Sequence, residues 1–166
     1  MADEVKVKAV PKGYRTLTPY LVVRDAARAM EFYKKAFNAK ELFRMPMPDG
    51  KIGHAEMKIG NSILMLSEEV AEQGMKSPLA LGGNGSSLLI YHRNVDRAFK
   101  RARKAGCTAI LEPVDMFWGD RYSKLRDPFG HEWQIATHKE DLTPEQVGER
   151  MQNWMAEQAS GQPSGD

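Results

Sequence analysis

The apolar positions of this chain follow two different spacings, and each spacing occurs twice. Runs of aliphatic and aromatic residues at 19–23 (PYLVV) and 88–91 (LLIY) favour β-strands. Residues 26–37 and 95–105 instead place their apolar side chains at helical intervals. Short apolar runs separated by turn-forming residues follow each helix, the first of these turns at 48–50 (PDG). The pattern therefore predicts a strand, a helix and about three further strands in each half of the chain.

An internal repeat relates the two halves. Residues 24–30 (RDAARAM) align with residues 93–99 (RNVDRAF) at an offset of 69. After one inserted residue, residues 60–63 (GNSI) align with residues 130–133 (GHEW) at an offset of 70. A fixed period of this kind is the signature of a duplicated structural unit. The chain is therefore predicted to consist of two modules that share one plan.

The segments outside the repeat differ from it in composition. Both ends of the chain are polar, which favours a flexible arm at the N-terminus and a disordered tail at the C-terminus. Thr143, Pro144 and Gln146 have the N-cap, first-turn and capping-box positions of a helix. The predicted segments, in chain order, are an arm (1–15), a single domain (16–142) made of module 1 (about 16–80), a linker (81–86) and module 2 (about 87–142), a C-terminal helix (143–158) and a tail (159–166).

Composition narrows the classes of partner. Lys and Arg number 24 and Asp and Glu 22, so the formal net charge of +2 gives no strong attraction to nucleic acid or to a membrane surface. No segment reaches the ~18 apolar residues of a membrane span. Cys107 is the single cysteine, so no disulfide forms within the chain, and a cytoplasmic location is expected. The expected partner is a small molecule.

Several motifs together resemble the vicinal oxygen chelate superfamily, which includes glyoxalase I, bleomycin- and fosfomycin-resistance proteins and extradiol dioxygenases. Residues 20–26 and 31–33 resemble its first strand and helix. Residues 48–56, 117–121 and 127–133 resemble its PhnB-like branch. The resemblance implies an α+β fold in which two tandem βαβββ modules form a curved mixed-sheet cup, followed here by the C-terminal helix. It also implies a homodimer.

The same resemblance locates the positions at which metal-using members hold their ion. These positions lie on the first and last strand of each module, and here they are Thr18, Leu64, Ser87 and Gln134. Metal-using members place His or Glu there, and a leucine cannot coordinate a metal at all. The usual chelate is therefore predicted to be missing, and no cofactor is expected, although a divalent metal at another site stays possible.

Strand alternation identifies the side chains expected to face the cup. His54 and Glu56 share one face of a strand, and their spacing suits an acid–base pair. A salt-linked pair with no catalytic role is the alternative for these two residues. The repeat offset places His54 opposite Lys124 and Glu56 opposite Arg126. The predicted ligand-binding side chains are Trp118, Asp120, Tyr122, Lys124, Arg126, Glu132 and Gln134.

The residues leave two functions open, besides a partner-docking role for the C-terminal helix. The first is a protein that binds a small polar or anionic molecule in the cup without the usual metal chelate. The second is a metal-dependent lyase, isomerase or dioxygenase that uses His54 and Glu56. Whether the protein is an enzyme is not decided by the sequence, because members of one fold carry out unrelated chemistries.

Overall fold

A computed structural model describes residues 7–160 and divides them into two similar modules. The first contains β1 (Tyr20–Val23), α1 (Ala26–Phe37), β2 (Lys40–Pro46), β3 (Ile52–Ile59) and β4 (Ser62–Glu68), followed by a 3₁₀ turn (Ala71–Gln73) and the short helix α2 (Pro78–Leu81). The second contains β5 (Ser87–Tyr91), α3 (Val95–Ala105), β6 (Thr108–Asp115), β7 (Asp120–Arg126) and β8 (Glu132–His138). Helix α4 (Pro144–Ser160) ends the described chain. The predicted fold class and the duplicated strand–helix–strands plan are confirmed.

Each module forms its own four-stranded mixed sheet. The strand order is β1-β4-β3-β2 in the first sheet and β5-β8-β7-β6 in the second. The first strand of each module pairs in parallel with its last strand, and the remaining pairs are antiparallel. The two sheets are therefore separate, with β1 and β5 each at an edge.

The helices α1 and α3 join the modules. Each packs on one face of its own sheet, and the two helices also pack against each other. Aromatic side chains of α1 reach the second module, where Phe37 lies 4.3 Å and Tyr33 5.4 Å from the ring centroid of Trp133. One continuous hydrophobic core thus includes residues of both modules. The opposite face of each sheet is left without a covering helix.

A buried carboxylate reinforces this contact. Asp127 is 4% exposed in the turn between β7 and β8. Its Oδ2 accepts hydrogen bonds from the Tyr33 hydroxyl (2.9 Å) and the Trp133 indole N–H (2.8 Å). Its Oδ1 accepts from the backbone N–H groups of Phe129 and His131, both at 2.9 Å. Because Tyr33 belongs to α1, this network connects the first module to a turn of the second.

The helix ends follow the local sequence signals. The Asp25 side chain accepts from the Arg28 backbone N–H at 3.0 Å, as expected of an N-cap. Thr143 and Gln146 exchange the two hydrogen bonds of a capping box at the start of α4. Helix α4 extends to Ser160, two residues beyond the predicted end at 158. Residues 1–6 of the predicted arm and 161–166 of the predicted tail lie outside the described residues. No helix of the described chain is both long and apolar enough to cross a membrane.

The sheet register corrects the predicted pairing between the modules. Tyr20 lies beside Met65, and Leu89, its equivalent at an offset of 69, lies beside Gln134. Met65, and not Leu64, is therefore the counterpart of Gln134. Leu64 is buried on the helix side of the sheet, beside Met57.

The same correction applies to the third strand of each module. Glu56 lies opposite Met65 and Lys124 opposite Gln134, so Glu56 corresponds to Lys124. His54 then corresponds to Tyr122, two positions earlier than the predicted Lys124. The predicted match of Glu56 with Arg126 is wrong by the same two residues.

Candidate functional site

The sheet faces that no helix covers hold the predicted acid–base pair and most of the predicted ligand-binding side chains. We call the uncovered face of the first sheet the N-terminal open face and that of the second the C-terminal open face. His54 and Glu56 lie on the N-terminal open face, where they alternate with the buried Ala55 and Met57 of the helix side. Side chains of β7 and β8 on the C-terminal open face alternate in the same way with the buried Leu125, Trp133 and Ile135.

Tyr20, His54 and Glu56 form a hydrogen-bonded chain on the N-terminal open face. The Tyr20 hydroxyl lies 3.0 Å from Nδ1 of His54, and His54 Nε2 lies 3.3 Å from Oε1 of Glu56. A carboxylate at Nε2 favours the tautomer with its proton there, which leaves Nδ1 to accept from the tyrosine hydroxyl. Tyr14, in the segment before β1, also forms a hydrogen bond with Glu56. This hydrogen bond, with a smaller effect of burial, raises the pKa of Tyr14 to about 12. The arrangement orients the imidazole from both sides.

A buried hydroxyl without a partner lies beside this chain. Ser67 is 1% exposed, and its Oγ has no hydrogen-bond partner among the described residues. The register of β3 and β4 puts Ser67 next to His54, on the open side of the sheet. A buried polar group left unpaired costs about 1–3 kcal/mol. Such a group next to an imidazole suits a polar ligand atom.

The C-terminal open face carries a charged cluster. Glu132 binds Lys124 through one carboxylate oxygen (2.6 Å) and Arg126 through the other (2.8 Å). Hydrogen bonds from Arg126 and Lys124 hold the pKa of Glu132 below its usual value. Gln134 donates to Ser87 Oγ at 2.6 Å in the neighbouring row. Two cations share one carboxylate here, so the cluster has an excess of positive charge.

The loop before β7 places an aromatic side chain at the edge of this face. The ring of Trp118 lies 5.6 Å from that of Tyr122, in an edge-on arrangement. Phe117 contacts Trp118 on one side and Trp154 of α4 on the other. The loop is therefore supported by the C-terminal helix.

Asp120 binds a histidine and a tyrosine at one end of β7. Its Oδ1 lies 2.7 Å from Nδ1 of His138, and its Oδ2 accepts from the Tyr91 hydroxyl at 3.2 Å. His138 also contacts Asp141, and hydrogen bonds to Asp141 and Asp120 raise its pKa. Arg121 binds Asp96 and Asp115 instead of Asp120. Asp120 is thus a buried acceptor at the edge of the C-terminal open face.

The family-equivalent metal positions do not fit a first-row divalent metal ion. With the corrected register they are Thr18, Met65, Ser87 and Gln134. The Thr18 hydroxyl donates to the Arg15 carbonyl, and Ser87 accepts from Gln134. These positions offer hydroxyl, thioether and amide groups, where such an ion requires imidazole, carboxylate or thiolate. Within residues 7–160 no three His, Cys, Asp or Glu side chains are grouped to hold a metal.

A cavity lies between the modules, beside α1 and α3. This intermodule groove has a volume of about 730 Å³ and is bordered by both sheets and both large helices. Thr18 and Leu64 line it, whereas none of the predicted catalytic or ligand-binding residues does. The side chains predicted to face a cup between the modules therefore do not line this groove, and most of them lie on the sheet faces that no helix covers.

Sequence reasoning missed three side chains of these clusters. Tyr20 and Tyr91 lie on the edge strands β1 and β5 and complete the hydrogen bonds of His54 and Asp120. His138, about half exposed at the end of β8, bridges the carboxylates of Asp120 and Asp141. The repeat gave no signal for the two tyrosines, since an offset of 69 pairs Tyr20 with Leu89 and Tyr91 with Val22.

The thiol of Cys107 is buried in the core. Cys107 is 2% exposed, and burial raises its pKa to about 12. A thiol of this kind is a poor nucleophile, because the thiolate is the reactive form. Cys107 acts as a small residue of the hydrophobic core.

Comparisons with known proteins identify the family. Residues 15–135 match the model of the Glyoxalase/Bleomycin resistance protein/Dioxygenase superfamily. An uncharacterized protein of Mycobacterium bovis, Mb0911c, is 42% identical over 134 residues, which cover 79% of this chain and 88% of that protein.

Solved structures agree with that assignment. TioX from Micromonospora sp. ML1 is 26% identical, with a TM-score of 0.59 over 78% of this chain and 100% of its own. A PhnB protein from Bacillus cereus, described as a putative 3-demethylubiquinone-9 3-methyltransferase, shares the fold at 16% identity, with a TM-score of 0.58 over 74% of this chain and 99% of its own. The chain belongs to the glyoxalase/bleomycin resistance protein/dioxygenase superfamily.

Proposed function

We propose that this protein binds a small polar or anionic molecule between an N-terminal and a C-terminal open face, without a metal chelate. The observation that carries the proposal is the polar group around His54, where a buried and unpartnered Ser67 hydroxyl adjoins a hydrogen-bonded imidazole and carboxylate. Ligand sites are mainly apolar surfaces with a few convergent polar groups. Phe43 and Met45, which flank Glu56 and His54 in the register, supply the apolar part here.

The charge of the opposite face supports an anionic group on the ligand. Lys124 and Arg126 carry two positive charges, whereas the Glu132 carboxylate that they share carries one negative charge. An incoming carboxylate, phosphate or phosphonate would complete this charge balance. The half-buried ring of Trp118 provides a surface on which a flat or apolar part of the ligand can rest.

A second copy of the chain is needed to enclose such a ligand. Large apolar side chains remain exposed on the strands of both sheets; they are Tyr20, Leu42, Phe43, Met45, Leu89, Tyr91, Ile110, Leu111 and Val114. Exposed apolar surface of this extent is typical of a protein–protein contact. In a symmetric dimer the N-terminal open face of one copy would cover the C-terminal open face of the other, and two equivalent sites would form.

Ligand binding is tested by thermal unfolding with a library of small carboxylates, phosphates and phosphonates. A ligand at about 100 times its Kd stabilises a protein by about 2.7 kcal/mol, which corresponds to a rise in Tm of about 5–10 °C at this size. Lys124→Met and Ser67→Ala should each reduce the rise, since they remove the charge or the hydroxyl that the ligand contacts. EDTA should leave it unchanged.

The matched control for this experiment is Lys51→Met. Lys51 is an exposed residue of the turn before β3, where its ammonium group lies 3.8 Å from Asp49 and belongs to neither polar cluster. Its replacement should retain the full ligand-dependent rise in Tm. A library in which no compound raises Tm, or a rise that Lys124→Met leaves intact, would contradict the proposal.

The dimer is tested by placing a charge on the N-terminal open face. Phe43 is 50% exposed, so Phe43→Lys should cost little folding stability but should interrupt an apolar contact between copies. We expect sedimentation velocity to give a dimer for the unchanged chain and a monomer for Phe43→Lys at micromolar concentration. Leu81→Lys, at a 64% exposed position of α2, is the control and should remain dimeric. A monomeric unchanged chain would refute the shared site.

An enzymatic function is the second candidate, and the Tyr20–His54–Glu56 chain favours it. Glu56 orients the imidazole, and His54 can then take the proton of the Tyr20 hydroxyl, which leaves the tyrosine oxygen as a base that removes a proton from a bound molecule. Product analysis separates the two candidates. A ligand recovered unchanged supports binding alone, whereas a product that disappears with His54→Ala supports catalysis. Elemental analysis of the purified protein distinguishes a metal-dependent enzyme from a metal-independent one.

The cellular compartment is part of this proposal. A single buried cysteine requires no oxidising environment, which suits the cytoplasm.

A further inference from the structure

The intermodule groove has an apolar floor with polar surroundings. Side chains from both sheets and from α1 form the floor; they are Phe37, Ile59, Leu88, Ile90, Trp133 and Ile135. A second cavity of about 350 Å³ adjoins it at Asn38, His92 and Arg101, which line both. Together the two cavities have the size of a site for a small organic molecule.

The charge around this double cavity has one sign. The charged residues that line it are Arg15, Lys40, Lys58, Arg93, Arg97 and Arg101. No Asp or Glu among the described residues lines either cavity. None of the six cations forms an ion pair with an acidic side chain in the described part of the chain. Many lysine and arginine side chains elsewhere in the described chain do form an ion pair with a neighbouring carboxylate.

Arg101 is fixed at the junction of the two cavities. Its Nε donates to the Ala36 carbonyl at 2.9 Å, which leaves the terminal nitrogens of the guanidinium available. Burial and the nearby charge of Arg97 lower the pKa of Arg101. Arg97 and Arg101 are four positions apart on α3, a spacing at which like charges repel. An anion between them would relieve this repulsion, and a pair of guanidinium groups matches phosphate or carboxylate geometry.

We infer that the intermodule groove binds an amphiphilic organic anion, with its apolar body on the floor beside Trp133 and its phosphate or carboxylate group between Arg97 and Arg101. This site is separate from the one proposed on the open sheet faces, because none of the side chains assigned to ligand binding there lines the groove. The protein would therefore bind two different molecules.

Hexyl phosphate is a suitable probe, because it combines a short apolar chain with a phosphate group. Titration calorimetry of the full chain at low ionic strength should give saturable binding at least about tenfold tighter than that of inorganic phosphate. Hexanoate should also bind, and 1-hexanol should bind more weakly than either. Equal affinity for hexyl phosphate and inorganic phosphate would overturn the assignment of the apolar floor.

Variants of α3 test the position of the head group. Arg97→Gln and Arg101→Gln should each weaken hexyl phosphate binding by about tenfold or more, because a charge-assisted hydrogen bond is lost. Arg97 makes no side-chain hydrogen bond in the described structure, so its replacement tests the site even if Arg101→Gln perturbs folding. Lys104→Gln, an exposed position on the same helix, is the matched control and should bind normally. Binding that both arginine variants retain would refute the inference.

The location of the apolar chain can be read from fluorescence. In a Trp118→Phe, Trp154→Phe background, Trp133 is the remaining tryptophan, and 6-bromohexyl phosphate should quench it with the affinity found by calorimetry. Lys124→Met should leave this binding unchanged, so a failure of the sheet-face proposal does not affect the result. Absence of quenching at saturation would place the probe elsewhere. If tight binding appears only after deletion of residues 1–6, the positive charges of the groove would be neutralised in the full chain by its own Asp3 and Glu4. That result would also overturn the inference.

Discussion

Asp127→Asn should lower the free energy of unfolding by about 3 kcal/mol. The carboxylate accepts four hydrogen bonds, two at each oxygen, in a site that is almost fully buried. An asparagine keeps one oxygen and turns an NH₂ group toward two donors that then have no acceptor. Each buried donor left without a partner costs about 1–3 kcal/mol. The loss would be felt in both modules, because Tyr33 of α1 supplies one of the donors.

Urea unfolding followed by circular dichroism measures this effect. Tyr33→Phe removes a single donor and keeps the ring contacts with Phe37 and Trp133, so it should cost only about 1 kcal/mol. Asp49→Asn in the exposed turn before β3 is the matched substitution and should cost about 0.5 kcal/mol or less. An Asp127→Asn protein as stable as Asp49→Asn would show that the carboxylate network does not hold the modules together.

Gly119→Ala is expected to cost about 2–4 kcal/mol, by a different mechanism. Gly119 has a φ of +94°, a region that residues with a Cβ rarely adopt. A Cβ at this position would lie 2.7 Å from the backbone oxygen of Glu140, which cannot move freely. The Gly119 carbonyl also accepts from the N–H groups of Lys139 and Glu140. The loop would therefore shift, together with the neighbouring Trp118 and Asp120.

Gly60→Ala separates backbone strain from the steric clash. Gly60 also has a positive φ, +58°, but a Cβ there would meet no atom within 4 Å. Its replacement should cost only about 1 kcal/mol, the strain of a left-handed residue. Urea denaturation of both variants provides the comparison, and a ligand identified by thermal unfolding should bind more weakly to Gly119→Ala alone. Equal losses of stability in the two variants would show that the loop accommodates the methyl group.

The fold was accessible from the sequence because the duplicated pattern is strong. The helices at 26–37 and 95–105 were predicted with their observed bounds, since apolar spacing and capping residues agreed there. The pairing of later strands was less accessible. Alignment of turn residues gave an offset of 70, whereas the strand registers make β3 equivalent to β7 at an offset of 68 and β4 equivalent to β8 at an offset of 69. The turn after β3 is two residues long and the turn after β7 is five residues long. Because the turns differ in length, one offset cannot align the strands on both sides of them.

The candidate site was predicted only in part, for a reason that concerns packing. Alternation along a strand showed that His54 and Glu56 share a face, because that depends on local geometry. It could not show which space lies between the modules, since this depends on how α1 and α3 meet. Nor could it show that Arg97 and Arg101 line cavities, because only the contact between the modules creates these cavities.

The single interior shared by α1, α3 and β8 also bears on the origin of the chain. A solitary module would leave the aromatic side chains of α1, such as Phe32 and Phe37, without the ring of Phe129 or Trp133 that now covers them. An ancestor encoding one module could have buried that surface only by self-association. Joining two modules in one chain makes that association covalent, so we expect the unfolding of either module to expose the apolar surface of the other and the two modules to unfold as one cooperative unit.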